Sequence, residues 1–292
     1  MSKCLLALET SGRSGSVALL MAEDGDVDPR QNPTACTLDV EVLDPAYGSA
    51  KTLAPAIHKL LARHDLPTSA LNAIALIHGP GSFTGLRVGV ATAKAMAYAL
   101  KIPIVAVDGL NVIAHQIATA WANTNTDPHR PPLASQRLMA VVDAYRGQSF
   151  CAEFRLEFHR SLVEASSAHP GVVDSRNRNT NPTSGIAITV QPTGIADNDR
   201  IIERWLEPGA SDCLVAGPGV AKLRKHAEAI SPSAIEHVRW EATAISLPQA
   251  ATVATLGWNR WRAGQLEDTW GLLPMYYRSS AAEEKAKSEP LG

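Results

Sequence analysis

Neither sign of charge is in excess in this chain of 292 residues: 27 Lys and Arg stand against 29 Asp and Glu, a formal charge of −2. That balance excludes a bare basic grip on nucleic acid. Long apolar runs are also missing. The opening MSKCLLALETS carries one lysine and a five-residue apolar run that stops at Glu9. Such a run is too short for the hydrophobic region of a signal peptide and far too short to cross a bilayer, so a soluble, cytoplasmic protein without membrane contact is expected. Cysteine is scarce: Cys4, Cys36, Cys151 and Cys213 lie far apart, without metal-site spacing, and three sit within or beside apolar strand-like runs. Buried, reduced thiols are the expected state. Aromatic residues make up 5% of the chain, and Trp258 and Trp261 fall three apart, on one helical face that suits the closing of a core better than base stacking. The Lys-Ser/Thr ending of a P-loop, the HExxH of zinc peptidases and the G-x-S-x-G of a nucleophile elbow are all missing.

What is present alternates in type. Leu5–Leu8 and Ser16–Met21 are strand-like, and the TSGRSG between them suits a hairpin. Thr37–Leu43 alternates as a third strand would. Leu53, Ile57, Leu60 and Leu61 then recur at helical spacing, with Thr52 able to cap and Pro55 tolerable only in a first turn. Ala73–Ile77, Thr84–Leu100, Ile104–Val107 and Leu110–Ala122 read as strand, helix, strand, helix, which implies parallel strands added to the hairpin and hence a mixed sheet. The polar, proline-rich Asn123–Pro132 marks a boundary. Beyond it Leu138–Val142 and Phe150–Phe158 are strands joined by DAYRGQ, and Ser166 to Asp199 suggests a long surface excursion. Cys213–Ala216, GPG and a helix from Val220 repeat the strand–GPG–helix plan of the first half and hint at duplication. Leu247–Ala263 is a helix candidate, and GLLPMYYRSS gives the tail an apolar anchor.

The stretch GPGSFTGLRVGVATAKAMAYAL, residues 79–100, admits two readings. Glycines between a strand and a helix permit a sharp turn, and they expose N–H groups to an anion at the positive helix end. The spacing of Gly79, Gly81 and Gly85 misses G-x-G-x-x-G, although Asp108 ends the next strand where a ribose-binding acid would stand. The helix itself carries Gly85, Gly89, Ala93 and Ala97 four apart. Each helical glycine costs about 1 kcal/mol relative to alanine, so close approach of another backbone is implied. That backbone belongs either to the chain's own sheet or to a partner.

The same stretch resembles the signature of the TsaB (YeaZ) family, and LALETSGRSGSVALL, VAVDGLNVIA, VVDAYRGQ and LLPMYYR follow in the family's order. The resemblance implies an α/β fold of two lobes with mixed sheets flanked by helices, as in the actin, hexokinase and chaperone-ATPase (ASKHA) superfamily. It divides the chain into an N-terminal lobe (1–122), a linker (123–132), a C-terminal lobe (133–280) with an insertion near 166–199, and a flexible tail (281–292). It also implies a role: a non-catalytic subunit that heterodimerises with the paralogous TsaD, which transfers threonylcarbamoyl to a tRNA adenosine beside the anticodon. The ATPase TsaE joins that complex, tRNA is met only through it, and a homodimer forms in isolation. The implied interface is Leu53, Ile57, Leu60, Gly85, Arg87, Gly89, Ala93 and Ala97, with Asp143 and Arg146 as either a turn-stabilising ion pair or a contact in the complex. No cofactor is required. Weak, vestigial ATP or ADP binding falls to Thr10, Gly12, Gly79, Gly81 and Ser82, with Glu9 where the superfamily normally has aspartate. The paralogue's two metal-binding histidines correspond to Gly109 and Ile113, so neither metal nor catalytic residue is expected. The alternative is an autonomous ASKHA-type kinase or carbamoyltransferase.

Overall fold

The computed structural model describes residues 2–12, 14–23, 36–124, 136–160, 183–206, 213–231, 236, 238–241 and 244–276. The opening run pairs as expected: β1 (Lys3–Glu9) and β2 (Ser16–Ala22) form an antiparallel hairpin, with Leu5 opposite Leu20, and β3 (Cys36–Val42) pairs antiparallel with β2. Two strands then join parallel, β4 (Ala73–Gly79) beside β1 and β5 (Ile104–Asp108) beside β4, giving the order β3-β2-β1-β4-β5. The central strand reads as a continuous apolar run because both its faces are covered. Leu6 and Leu8 point into one core and Leu5 and Ala7 into another, all fully buried.

The second half builds the same sheet again. β6 (Gln136–Asp143), β7 (Gln148–Arg160) and β8 (Thr183–Asp197) form an antiparallel meander, and β9 (Cys213–Ala216) and β10 (Val238–Glu241) add parallel, in the order β10-β9-β6-β7-β8. Reversed, that order is the first sheet's order, so the repeated GPG marks a true duplication of architecture. The expected two-lobed α/β fold with mixed sheets is the one observed.

Helices α1 (Ser49–Ala62) and α2 (Phe83–Leu100) cover one face of the first sheet, where Leu53, Leu60, Val90, Ala93 and Ala97 meet Leu6, Leu8 and Leu76. Helices α4 (Asn198–Leu206) and α5 (Val220–Ile230) occupy the matching face of the second, through Ile201, Ile202, Val220 and Leu223. The remaining two helices are exchanged. α3 (Gly109–Thr124) leaves the first sheet and packs Ile113 and Ile117 on Leu138 and Phe154 of the second. α6 (Ala250–Arg262) leaves the second sheet and packs Val253 and Trp258 on Leu5 and Ile77 of the first. Thus α3, from the stretch assigned to the N-terminal lobe, covers the C-terminal sheet, and α6, from the stretch assigned to the C-terminal lobe, covers the N-terminal one; position 280 lies outside the described residues. Trp258 is fully buried, with Trp261 edge-on at 5.3 Å, so this aromatic face closes a core.

The exchange is locked by one side chain. Gln116 of α3 donates through Nε2 to the carbonyls of Ile245 (3.0 Å) and Leu247 (2.8 Å), and its Oε1 accepts the Gln249 N–H at 2.8 Å. Gln116→Leu leaves those backbone groups unpartnered in a site only 8% exposed. It is expected to cost about 2–3 kcal/mol, read as a lower urea midpoint; an unchanged midpoint would refute the clamp.

Three further expectations change. Helix α1 begins at Ser49, three residues before the expected cap, and Thr52 Oγ1 reaches back to the Gly48 carbonyl at 3.5 Å. Pro55 therefore lies inside the helix, on its exposed side, where water can serve the carbonyl that its ring leaves unpaired. In the expected 166–199 excursion, residues 183–197 are a strand and 198–199 open α4; residues 161–182 lie outside the described residues, as do 125–132 of the boundary region and the 281–292 tail. Strand β8 was hard to see because its inward residues are small: Gly185 lies directly on the Ala118 backbone of α3, with Ala187 beside it in the same core. Finally, only Cys4 and Cys213 are fully buried thiols, with burial pushing them up to about 12 and about 11, whereas Cys36 and Cys151 are half-buried; all four are free.

Candidate functional site

The glycine stretch forms one wall of a tightly closed loop pair at the carboxyl ends of β1 and β4. Ser82 caps α2, its Oγ accepting the Gly85 N–H at 3.3 Å. The Ser82 N–H itself donates to the Ser11 carbonyl at 2.7 Å. On the other side Glu9, 1% exposed, turns its carboxylate back on its own loop: Oε1 accepts the Ser11 N–H and hydroxyl, both at 2.6 Å, and the Gly12 N–H at 3.3 Å. Its Oε2 is buried without a hydrogen-bond partner. Burial pushes this carboxyl up to about 7, outweighing the Ser11 and Gly12 bonds that favour its charged form.

Thr10, Gly12, Gly79, Gly81 and Ser82 thus converge, with their groups turned largely on the chain itself. The Gly12 and Ser82 amides are already engaged, Thr10 is 1% exposed, Gly81 backs onto Ser11, and Gly79 backs onto the Met275 carbonyl. In the first loop the carboxyl group of Glu9 lies where its Oε1 accepts the loop's own N–H groups. His78 is held by a bond, Nδ1–H donating to the Val107 carbonyl at 3.1 Å. Asp108, at the place of a ribose-binding acid, instead caps α3 by accepting the Leu110 and Asn111 N–H groups at 2.9 and 3.1 Å.

The small-residue stripe is also corrected. A Cβ on Gly85 would overlap the Thr10 carbonyl and one on Gly89 the Thr10 hydroxyl, while Ala93 and Ala97 lie in the core with Leu53, Ile57 and Leu60. The close neighbour implied by these glycines is the end of β1, not another subunit. Of the eight expected interface residues only Arg87 is exposed. The outward surface of α2 is a second line, Thr84, Ala91, Ala95 and Ala99, with the same fourfold spacing over its last three members. It was missed because glycines are the more conspicuous signal. Between α1 and α2, Ile57, His58, Leu61, Leu66, Thr92 and Met96 line an apolar groove of about 450 Å³.

Along the other flank of α2 runs the strap formed by residues 264–276. Glu267 N–H bonds to the Ile104 carbonyl (2.9 Å), Lys94 Nζ to the carbonyls of Trp270 (2.8 Å) and Leu272 (3.1 Å), and Met275 N–H to the His78 carbonyl (2.7 Å). Leu272 is buried in the α1–α2 core, the anchor that the apolar tail foretold. Tyr98 meets Trp270 edge-on at 5.3 Å, Phe83 meets Tyr276 at 4.8 Å, and the Arg87 guanidinium lies 3.7 Å over the Phe83 ring while its Nε donates to the Tyr276 hydroxyl at 2.9 Å. A second groove, of about 520 Å³, opens between Tyr98, Lys101 and Trp270.

In the second lobe, Asp143 ends β6 and Arg146 lies in the turn that leads to β7. Asp143 accepts the Tyr145 N–H at 2.9 Å and pairs with Lys222 at 2.9 and 3.0 Å, while Arg146 stands exposed at φ 53° in the turn. Gly109 opens α3 under the Pro80 carbonyl, and Ile113 is a fully buried core residue.

Compared with known proteins, residues 46–286 match the model of the family TsaD: tRNA N6-adenosine threonylcarbamoyltransferase. The proteins called tRNA threonylcarbamoyladenosine biosynthesis protein TsaB are similar over shorter stretches. That of Bacillus subtilis (strain 168) is 47% identical over 60 residues, 20% of this chain and 26% of that protein. Those of Haemophilus influenzae and Escherichia coli are each 28% identical, over 54% and 52% of this chain and 56% and 54% of theirs. The chain thus spans about half, or less, of the length of these relatives. Two solved Pseudomonas aeruginosa structures, one titled YeaZ and the other a protein similar to peptidase YEAZ, share the fold at TM-scores of 0.60 and 0.61, with 22% identity over 94% of this chain and 99% and 100% of theirs. The family match runs over most of the length and the TsaB (YeaZ) proteins are similar over part of it: the chain belongs to the family TsaD: tRNA N6-adenosine threonylcarbamoyltransferase.

Proposed function

We propose that this protein is a non-catalytic scaffold subunit in tRNA threonylcarbamoyladenosine biosynthesis, and that it acts in the cytoplasm by docking a catalytic TsaD paralogue on the outer surface of α1 and α2. A TsaE-type ATPase joins the pair, and tRNA is met through the assembly. The observation that carries the reading is the closed loop pair: the Gly12 and Ser82 amides expected to hold phosphate are engaged by Glu9 and Ser11. Metal chemistry finds no support at Gly109, which lacks a side chain, or at buried, apolar Ile113. Docking is supported by the apolar groove between α1 and α2. No cofactor is needed for such a role, and nucleotide binding at the loop pair is weak at most.

The test is reconstitution. With paralogue, ATPase, tRNA and threonylcarbamoyl-adenylate present, omitting this chain abolishes modification, and the chain alone modifies nothing. Modification by the isolated chain, or ATP turnover lost on Gly81→Val, would establish the autonomous ASKHA enzyme instead.

A further inference from the structure

Helices α1 and α2 contain no Asp or Glu, although acids slightly outnumber bases in the chain as a whole. Their cations are Lys51, Lys59, Arg87 and Lys94, and Lys101 follows directly at the end of α2. Lys59 is neutralised by Glu41 at 2.7 Å, but Lys51 and Lys101 have no carboxylate partner among the described residues. The strap adds the opposite quality. Trp270 and Leu273 are each 70% exposed, Tyr98 is 68% exposed, and Phe83, Met275 and Tyr276 are each 43–45% exposed. The ring contacts Tyr98–Trp270 and Phe83–Tyr276 join these side chains to α2 at both ends. Aromatic surface of this extent beside an acid-free helix pair is the composition of an interface core with a cationic rim.

We propose that the strap, through Trp270, Leu273 and Tyr276, is the second wall of the docking surface, opposite the α1 wall, and that the partner segment received between them is an apolar helix carrying carboxylates toward Lys51 and Lys101. This rests on the docking reading above and adds to it the strap and the charge of the partner. Charge complementarity selects the occupant: a basic helix would be repelled at Lys51 and Lys101, and a purely apolar one would leave these two lysines desolvated without a counter-charge.

The test is titration calorimetry of the full chain against the purified paralogue at two salt concentrations, with thermal melting of each variant as the folding control. Leu273→Ser touches no core contact and is expected to melt like the wild type while binding about tenfold or more weakly. The Lys51→Glu/Lys101→Glu double variant is expected to bind more weakly, and the fall of affinity with salt seen for the wild type should flatten. Wild-type affinity and salt dependence in both variants would overturn the proposal and leave the docking reading intact. Failure of the wild type to bind the paralogue would remove that reading and this proposal with it.

Discussion

Replacing Gly85 with valine is expected to destabilise the fold strongly, not to release the chain from a partner. The added carbons would have to occupy the space of the Thr10 carbonyl, which belongs to the β1–β2 turn and cannot rotate away. Overpacking of a core typically costs about 1–3 kcal/mol, and a clash with fixed backbone lies at or beyond the upper end, so about 3 kcal/mol or more is expected. Gly89→Val meets only the hydroxyl of Thr10, a group that can turn, and should cost less. Ala95 on the exposed line of the same helix provides the contrast: Ala95→Val changes little beyond helix propensity, less than about 1 kcal/mol. Guanidinium unfolding of the three variants gives the order directly. Equal midpoints for Gly85→Val and Ala95→Val would mean that α2 does not rest on β1 as described.

The second large effect is a dependence on pH carried by Glu9. In the unfolded chain this carboxyl loses its proton near 4.5, whereas in the fold burial pushes it up to about 7. Across that window the native state holds a proton the unfolded state has released, so stability falls as pH rises. The contribution is complete below pH 4.5 and spent above pH 7. At about 1.4 kcal/mol per pH unit its ceiling is about 3 kcal/mol. Glu9→Gln keeps an acceptor for the Ser11 N–H and hydroxyl but cannot titrate. The difference between wild-type and variant unfolding free energies should therefore change steadily from pH 5 to 7, the wild type losing ground. A difference independent of pH would show that the carboxyl titrates normally, and that the loop amides offset the cost of its burial.

Much of the fold was legible because it is local. The hairpin signal at TSGRSG, the apolar runs at Leu5–Leu8 and Ala73–Ile77, and the helical spacing after Ser82 each follow from side-chain period and turn chemistry. The second GPG correctly pointed to a duplicated sheet. Strand β8 escaped because small inward residues carry little hydrophobic signal. The site was less legible. Spacing alone showed that a backbone lies close to Gly85 and Gly89, but whose backbone it is depends on where Thr10 comes to rest, nearly eighty positions earlier in the chain. The strap is harder still, since Lys94 binds carbonyls at 270 and 272 through contacts no local pattern encodes.

By itself, then, the order of residues determined the elements of the first sheet, their parallel or antiparallel sense and the family, because period, turn residues and motif are properties of neighbouring positions. Only the tertiary structure decided that α3 and α6 exchange sheets, that Glu9 closes its own loop, and that the inner stripe of α2 belongs to the core while its outer flank carries the strap. The physical reason is that burial and hydrogen-bond satisfaction are settled among groups distant in sequence, where one carbonyl such as that of Thr10 can turn a candidate docking surface into the floor of a core.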